Sequence, residues 1–414
     1  MNFIFSENIK FQLLNIFLFL YLFSFLRNLS NLYYPLLFIV VVLLLVVFFI
    51  ENNSLKLNSI TNTYFMFLIS YLILTISSII YMERFGYDIY SLINGLGRLW
   101  LSAVLIILIY PLILNNKKIL FLQNYYVFFI ILAALSIFLQ HFIGQIKVLG
   151  DPYGAPRMGL IGYSSITGNV TSFAPTVPIV SIIIMMNNKI IPILKTVLLG
   201  VVISASILTM GKSGLMNAII AIIFVFSISF YKKNFRVIFY LLITTLFIFL
   251  VSETLLFAVI TQFVNTTGIE FGRFKLSGAV EFQPFLPRIT DRLFGNMTDF
   301  TRYNFVDLIF GIGIKGGGGA LGIENITSHN TYIDMMIAGG FVHLTLFLLM
   351  VITLQASLWS HYQKYNNTYS LTFFMCNLSF LFNLLLMNGA IYHPAISFIF
   401  WISILSQITT RVKN

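Results

Sequence analysis

The chain is made of apolar stretches, most of them close to the length of a bilayer crossing, laid almost end to end from residue 11 to residue 410. About 20 apolar residues at 1.5 Å each cover the ~30 Å hydrocarbon core of a bilayer, and in lipid only helices or closed barrels satisfy their own backbone groups. The candidate spans are 11–26, 34–50, 60–82, 97–114, 120–142, 171–186, 190–209, 213–231, 236–258, 332–353, 368–388 and 393–410. The expected fold is an all-α polytopic membrane protein with about 12 transmembrane helices. Charged residues are 9% of the 414, against roughly a quarter in a soluble domain, so one bundle rather than several soluble domains is expected.

Residues 11–26 are followed by Arg27, Asn28, Asn31 and a further apolar run, not by a small-residue cleavage site, and are therefore expected to be the first span. The lone Cys376 lies in an apolar run and is expected to be a small core residue. The formal charge of +11 does not indicate nucleic acid, because the basic residues are scattered between apolar runs and form no single basic face. Their pattern is topogenic. With the N-terminus in the cytoplasm, inside segments hold Lys10, Lys56, Lys117, Lys118, Lys189, Lys195, Lys232, Lys233, Arg236, Lys364, Arg411 and Lys413. Short outside loops hold Arg27, Arg84, Arg98, Lys147, Arg157 and Lys212, half as many, so both termini are expected to be cytoplasmic.

Residues 259–331 interrupt the apolar pattern. The expected organisation is transmembrane helices 1–9 in 1–258, a large extracytoplasmic loop at 259–331, and helices 10–12 in 332–414. Long loops without structure of their own are uncommon unless functional, and a smaller outer loop at 143–170 adds Asp151, Pro152, Pro156 and Arg157 to the same face. The outer face is the working face on this topology.

The large loop holds Arg273, Lys275, Arg288, Arg292, Arg302 and Lys315 and ends in Ser328-His329-Asn330-Thr331-Tyr332 at the start of a span. Guanidinium forks suit phosphate, and several of them beside a membrane suit a lipid-linked diphosphate. The competing account is local pairing with Glu270, Glu281, Asp291, Asp299 and Asp307. His329 precedes a helix that Ser328 or Asn330 can cap, and the positive end of that helix favours neutral imidazole, a candidate general base for a sugar hydroxyl. A loop histidine before a helix is, taken alone, more often structural. His393 can border the same site, His343 and Glu253 fall inside spans and are candidates to pair, and His141 and His361 carry no chemistry. Gly211-Lys212-Ser213 is not a nucleotide loop, since Ser206 occupies the position of the required first glycine. No cofactor is implied, and no Asp/His cluster argues for a metal.

Three stretches carry a family resemblance. The first reads Arg302-Tyr-Asn-Phe-Val-Asp-Leu-Ile-Phe-Gly311-Ile-Gly313, then His329-Asn330-Thr-Tyr332-Ile-Asp334, then Gly339-Gly340. The second is Arg157-Met-Gly159-Leu-Ile-Gly162 with Asn169, and the third is Thr209-Met-Gly211-Lys212-Ser213-Gly214, where Lys212 stands in place of the usual arginine. Together with the topology they resemble the O-antigen polymerase and O-antigen ligase superfamily. The resemblance implies a glycosyltransferase of the bacterial inner membrane that uses undecaprenyl-diphosphate-linked oligosaccharide. His329, Arg302 and Arg288 would be catalytic, and Arg157, Arg292, Arg273, Asn330, Tyr332 and Lys212 would bind substrate. Polymerisation is favoured over ligation of glycan to lipid A–core. Membrane lipid and a chain-length-regulating membrane protein are the further partners expected. A lipid-linked oligosaccharide flippase is the alternative of another class, disfavoured because polar residues gather in one loop and not at the midplane.

Overall fold

A computed structural model of the chain describes residues 7–29, 32–50, 58–84, 89–112, 116–150, 153–157, 160–168, 170–209, 212–241, 243, 304–314, 330–387 and 390–410. In chain order the elements are α1 (Glu7–Leu22), α2 (Tyr33–Ile50), α3 (Ser59–Arg84), α4 (Ile89–Ala103), α5 (Leu105–Ile109) and α6 (Asn116–Ile143). A short antiparallel hairpin follows, β1 (Tyr153–Arg157) and β2 (Leu160–Gly162), then α7 (Val170–Phe173), α8 (Thr176–Met186), α9 (Pro192–Leu208) and α10 (Lys212–Tyr231). The last elements are α11 (Phe305–Phe310), α12 (Thr331–Tyr365), α13 (Thr368–Leu386) and α14 (Pro394–Thr410).

Among the described residues, six helices are long and apolar enough to cross a membrane: α2, α3, α6, α10, α12 and α13. Three shorter apolar helices, α8, α9 and α14, accompany them. The protein is thus a helical membrane protein, and its outward side chains fit that medium. In α2, which carries no charged residue, Phe38 is 68% and Phe49 71% exposed, surface that water would penalise and lipid does not.

Several predicted spans change form. The span expected at 97–114 is broken: α4 ends at Ala103, Val104 is a turn residue at φ −85° and ψ −1°, α5 lasts one turn, and Tyr110–Leu112 is a 3-10 turn. Pro111, which donates no backbone bond, falls in this final turn. The span at 171–186 is divided at Ala174 and Pro175, with Pro175 at the N-cap of α8. The first helix stops at Leu22 and a 3-10 turn covers Ser24–Asn28. The span at 236–258 is helical through residue 241, and nearly all the rest of it lies outside the described residues.

The largest correction concerns the span expected at 332–353. α12 runs 35 residues, to Tyr365, and is bent at Gly340 (φ 68°, ψ −173°). Residues 332 and 347 would stand about 22 Å apart in a straight helix. Their ring centroids are 6.3 Å apart, so the first nine residues of α12 turn sharply across the rest.

The chain forms two compact units that do not follow sequence order. The first comprises Met1–Ile16, Ile39–Ile119 and Ile289–Asn414, and the second Phe17–Phe38 and Leu120–Arg288. In the first unit α3 and the long part of α12 run antiparallel around a core of Phe67, Phe347, Phe380 and Trp401. In the second, α8, α9 and α10 pack together, and a buried polar net fixes the chain after the hairpin. Gln140 donates to the Ser164 carbonyl (2.6 Å), Ser24 to the Thr167 carbonyl (2.6 Å), and the Thr167 and Ser172 hydroxyls meet at 2.8 Å. Such groups are stable away from water only when they are paired.

Candidate functional site

The end of the first unit that carries Gly340 is built around a short segment, 304–314, seated between α3 and α12. Asn304 opens it with a capping box: its side chain accepts from the Asp307 N–H (2.8 Å) and the Asp307 carboxylate accepts from the Asn304 N–H (3.2 Å). The Tyr81 hydroxyl of α3 donates to the other Asp307 oxygen. The expected role of Asp307 as a local arginine partner is therefore joined by an observed one, in which its carboxylate closes the helix cap and ties it to α3. After α11, Ile312 and Gly313 donate backbone bonds to the Ile337 and Ala338 carbonyls (3.0 and 2.8 Å). Ser77 of α3 donates to the Phe310 carbonyl (3.2 Å), and the Ser78 hydroxyl accepts from the Ile314 N–H (2.9 Å).

Glycine is required where these backbones touch. Gly313 has φ 82°, and a Cβ there would overlap the Ser78 backbone. Gly340 is at φ 68°, and a Cβ there would overlap the Ile309 carbonyl. The Gly-rich turn and the paired glycines of the sequence motif thus face each other across one contact.

The start of α12 is fixed separately. The Asn330 side chain accepts from the Tyr332 and Ile333 N–H groups (3.0 and 3.4 Å), so Asn330 caps the helix. Thr331 donates to the Met387 carbonyl (2.5 Å) and accepts from the Ala390 N–H (3.2 Å), while the Tyr332 hydroxyl donates to the Leu381 carbonyl (3.1 Å). The oxygen of Asn330 and the hydroxyl of Tyr332, both expected to contact substrate, are engaged within the protein.

Buried ionisable groups gather beneath these anchors. Asp334 is fully buried one turn into α12. The Tyr392 hydroxyl, in the turn before α14, is buried without a hydrogen-bond partner among the described residues. Burial first, and the Asp334 carboxylate second, push that phenol above its ordinary value. His343 is fully buried against Phe67 and Tyr71, each with its ring 5.1 Å away, and its Nδ1 lies 2.7 Å from the Ser70 hydroxyl. Ser70 also donates to the Phe67 carbonyl at 2.6 Å. A hydroxyl has one proton, so both contacts are satisfied when His343 carries its proton on Nδ1 and donates to Ser70. Nε2 is then an acceptor with no partner among the described residues. Glu253, the partner expected for His343, lies outside the described residues.

Arg273, Arg288, Arg292, Arg302, His329 and Asn169 lie outside the described residues. In the second unit, Arg157 ends β1, where it pairs with Leu160 across the hairpin, and Lys212 is the first residue of α10. The end of α9 and the start of α10 approach closely: Ser206 donates to the Gly214 carbonyl (2.8 Å), Thr209 donates to the Ser206 carbonyl (2.7 Å), and a Cβ on Gly214 would overlap both Ser206 and Thr209. This close approach accounts for Gly214 of the third motif.

Sequence reasoning missed Tyr81, Ser70 and Tyr392. Tyr81 and Ser70 sit in an apolar run and Tyr392 in a short turn, with no spacing to mark any of them. Asp334 could have been flagged as a carboxylate just inside a span. Among the described residues, no group of His, Cys, Asp and Glu is placed to hold a metal ion. No protein-family model and no curated protein matches this chain.

Proposed function

We propose that this protein is a bacterial inner-membrane glycosyltransferase that polymerises a surface polysaccharide, of the O-antigen kind, from undecaprenyl-diphosphate-linked repeat units. Its spans would number about 12, with both termini in the cytoplasm and residues 259–331 on the outer face. The observation that carries the proposal is the double anchoring of two parts of the first motif, at Asn304–Ile314 and at Asn330–Tyr332, to one end of one unit. In the sequence Arg302 stands two residues before the first of these anchored segments and His329 one residue before the second, which supports a shared role for the two at that end.

In the proposed reaction an acceptor sugar hydroxyl attacks the anomeric carbon of the lipid-linked chain. His329 takes the hydroxyl proton as the new glycosidic bond forms, and the bond from the anomeric carbon to the diphosphate oxygen breaks. The departing diphosphate gains charge, which Arg302 and Arg288 stabilise, with Arg157, Arg292, Arg273 and Lys212 as further contacts. Fully buried Asp334 and Tyr392 beside it supply a floor to that end.

The test is a gene deletion in the native host, complemented with the wild-type or the His329→Ala gene, with surface lipopolysaccharide run on a gel. The proposal expects core bearing a single repeat in the deletion, a ladder with wild type, and no ladder with normal protein levels for His329→Ala. A full ladder from His329→Ala would remove that residue from the mechanism. Bare core with polymer accumulating on lipid carrier would identify a ligase instead.

A further inference from the structure

A second feature, independent of the glycosyl-transfer proposal, lies at the opposite sequence end of the second unit's helices, where α8 stops and α9 starts. The Lys195 ammonium, on a buried side chain, donates to the Met185 carbonyl at 3.0 Å. The Lys232 ammonium donates to the same Met185 oxygen (3.2 Å), to the Met186 carbonyl (3.0 Å) and to the Asn188 side chain (2.8 Å). Two ammonium groups that share one oxygen are held closer together than their repulsion favours.

The last carbonyls of a helix offset part of that repulsion, because they carry the negative end of its dipole. They cannot offset all of it. The bond from Lys232 to Asn188 joins the 187–191 turn to the end of α10, and Lys189, Lys233 and Arg236, all exposed, flank the two joined points in sequence. With Lys195 and Lys232 they make five cations on two joined segments. The whole stretch 152–252 contains no aspartate or glutamate, so no carboxylate in these helices is available to neutralise them. Burial pushes the Lys232 ammonium below its ordinary value, and a nearby anion would hold it charged.

The chemistry of the occupant follows from position. These residues stand at the ends of apolar helices, where a side chain reaches the headgroup layer of the bilayer. We propose that Lys189, Lys233 and Arg236 form a binding site for the phosphate headgroup of an anionic membrane phospholipid. The alternating apolar surface beside it, with Ile191 63%, Phe235 53% and Phe239 61% exposed, would take the acyl chains. Lys195 and Lys232, whose donors are taken up by the Met185 and Met186 carbonyls and Asn188, act behind this surface by fixing the turn.

The test uses the purified full chain in nanodiscs of phosphatidylcholine with or without phosphatidylglycerol, and counts retained lipid by native mass spectrometry. Wild type is expected to retain phosphatidylglycerol selectively. The combined Lys189→Gln, Lys233→Gln, Arg236→Gln variant is expected to lose about a hundredfold of that selectivity, from ~1 kcal/mol per basic side chain at an anionic surface. Its melting midpoint in pure phosphatidylcholine should equal that of wild type, which shows that it folds. The conservative Lys189→Arg, Lys233→Arg variant should keep the selectivity. Equal retention of the two lipids by wild type, unchanged selectivity in the glutamine variant, or equal displacement by millimolar inorganic phosphate would each overturn the proposal.

Discussion

Replacing Gly340 by alanine tests the structural core of the proposed site with the smallest possible change. Gly340 sits at φ 68° and ψ −173°, a region populated almost only by glycine, and forcing another residue there costs about 1–3 kcal/mol. The added methyl would also overlap the Ile309 carbonyl, and overpacking of that kind costs about 1–3 kcal/mol more. The segment can escape by lifting off α12, but it then loses the bonds from Ile312 and Gly313 to α12, worth about 1 kcal/mol each. Every route ends within about 2–6 kcal/mol, a large share of a typical folding free energy. The assay is the melting midpoint of detergent-solubilised protein, read beside polymer length in the complemented deletion strain. Gly97→Ala is the matched control. Gly97 is an exposed helical glycine with nothing within 4 Å of the added carbon, so alanine there should leave stability within about 1 kcal/mol. The reasoning fails if Gly340→Ala melts with wild type, or if Gly97→Ala is the more damaging of the two.

Two further predictions concern side chains that tie α3 to its neighbours. Tyr81→Phe removes a donor to the buried Asp307 carboxylate and should lower stability by about 1.5–3 kcal/mol; an unchanged melting midpoint would show that the bond contributes nothing. Ser70→Ala strands the Nδ1 proton of His343 and should cost about 1–3 kcal/mol. Combining it with His343→Leu should cost less than the sum of the two single changes, because no buried polar group is then left alone; strict additivity would mean that the two residues do not interact.

The membrane class was legible because the length and purity of apolar runs are a property of the sequence itself. The breaks were not read: 97–114 and 171–186 were expected to be continuous, yet the first is interrupted at Val104 and the second at Pro175. The bend in α12 was not. Gly339-Gly340 appeared as a motif, but hydropathy is blind to direction, and a window that is apolar throughout reads the same whether the helix is straight or folded. Asn330 was one of two cap candidates, and it is the residue that caps α12. The Tyr81–Asp307 and Ser70–His343 pairs join residues more than 200 positions apart, and no local pattern encodes such a meeting.

The bend gives α12 and α13 an uneven geometry. The two helices share the Asn366–Asn367 turn at one end, and at the other Thr331 rests on Met387. One path between these points is 35 residues of helix, about 52 Å, while the return path is 19 residues, about 28 Å. The nine residues before Gly340, about 14 Å of that surplus, are turned across the rest and add little along α13; the 25 after it, about 38 Å, make up the remainder of the path. An extra helical turn inserted after Gly340 would lift the bend relative to α13, whereas the same turn inserted before it would slide Asn330 sideways off Met387 and Ala390 at unchanged depth.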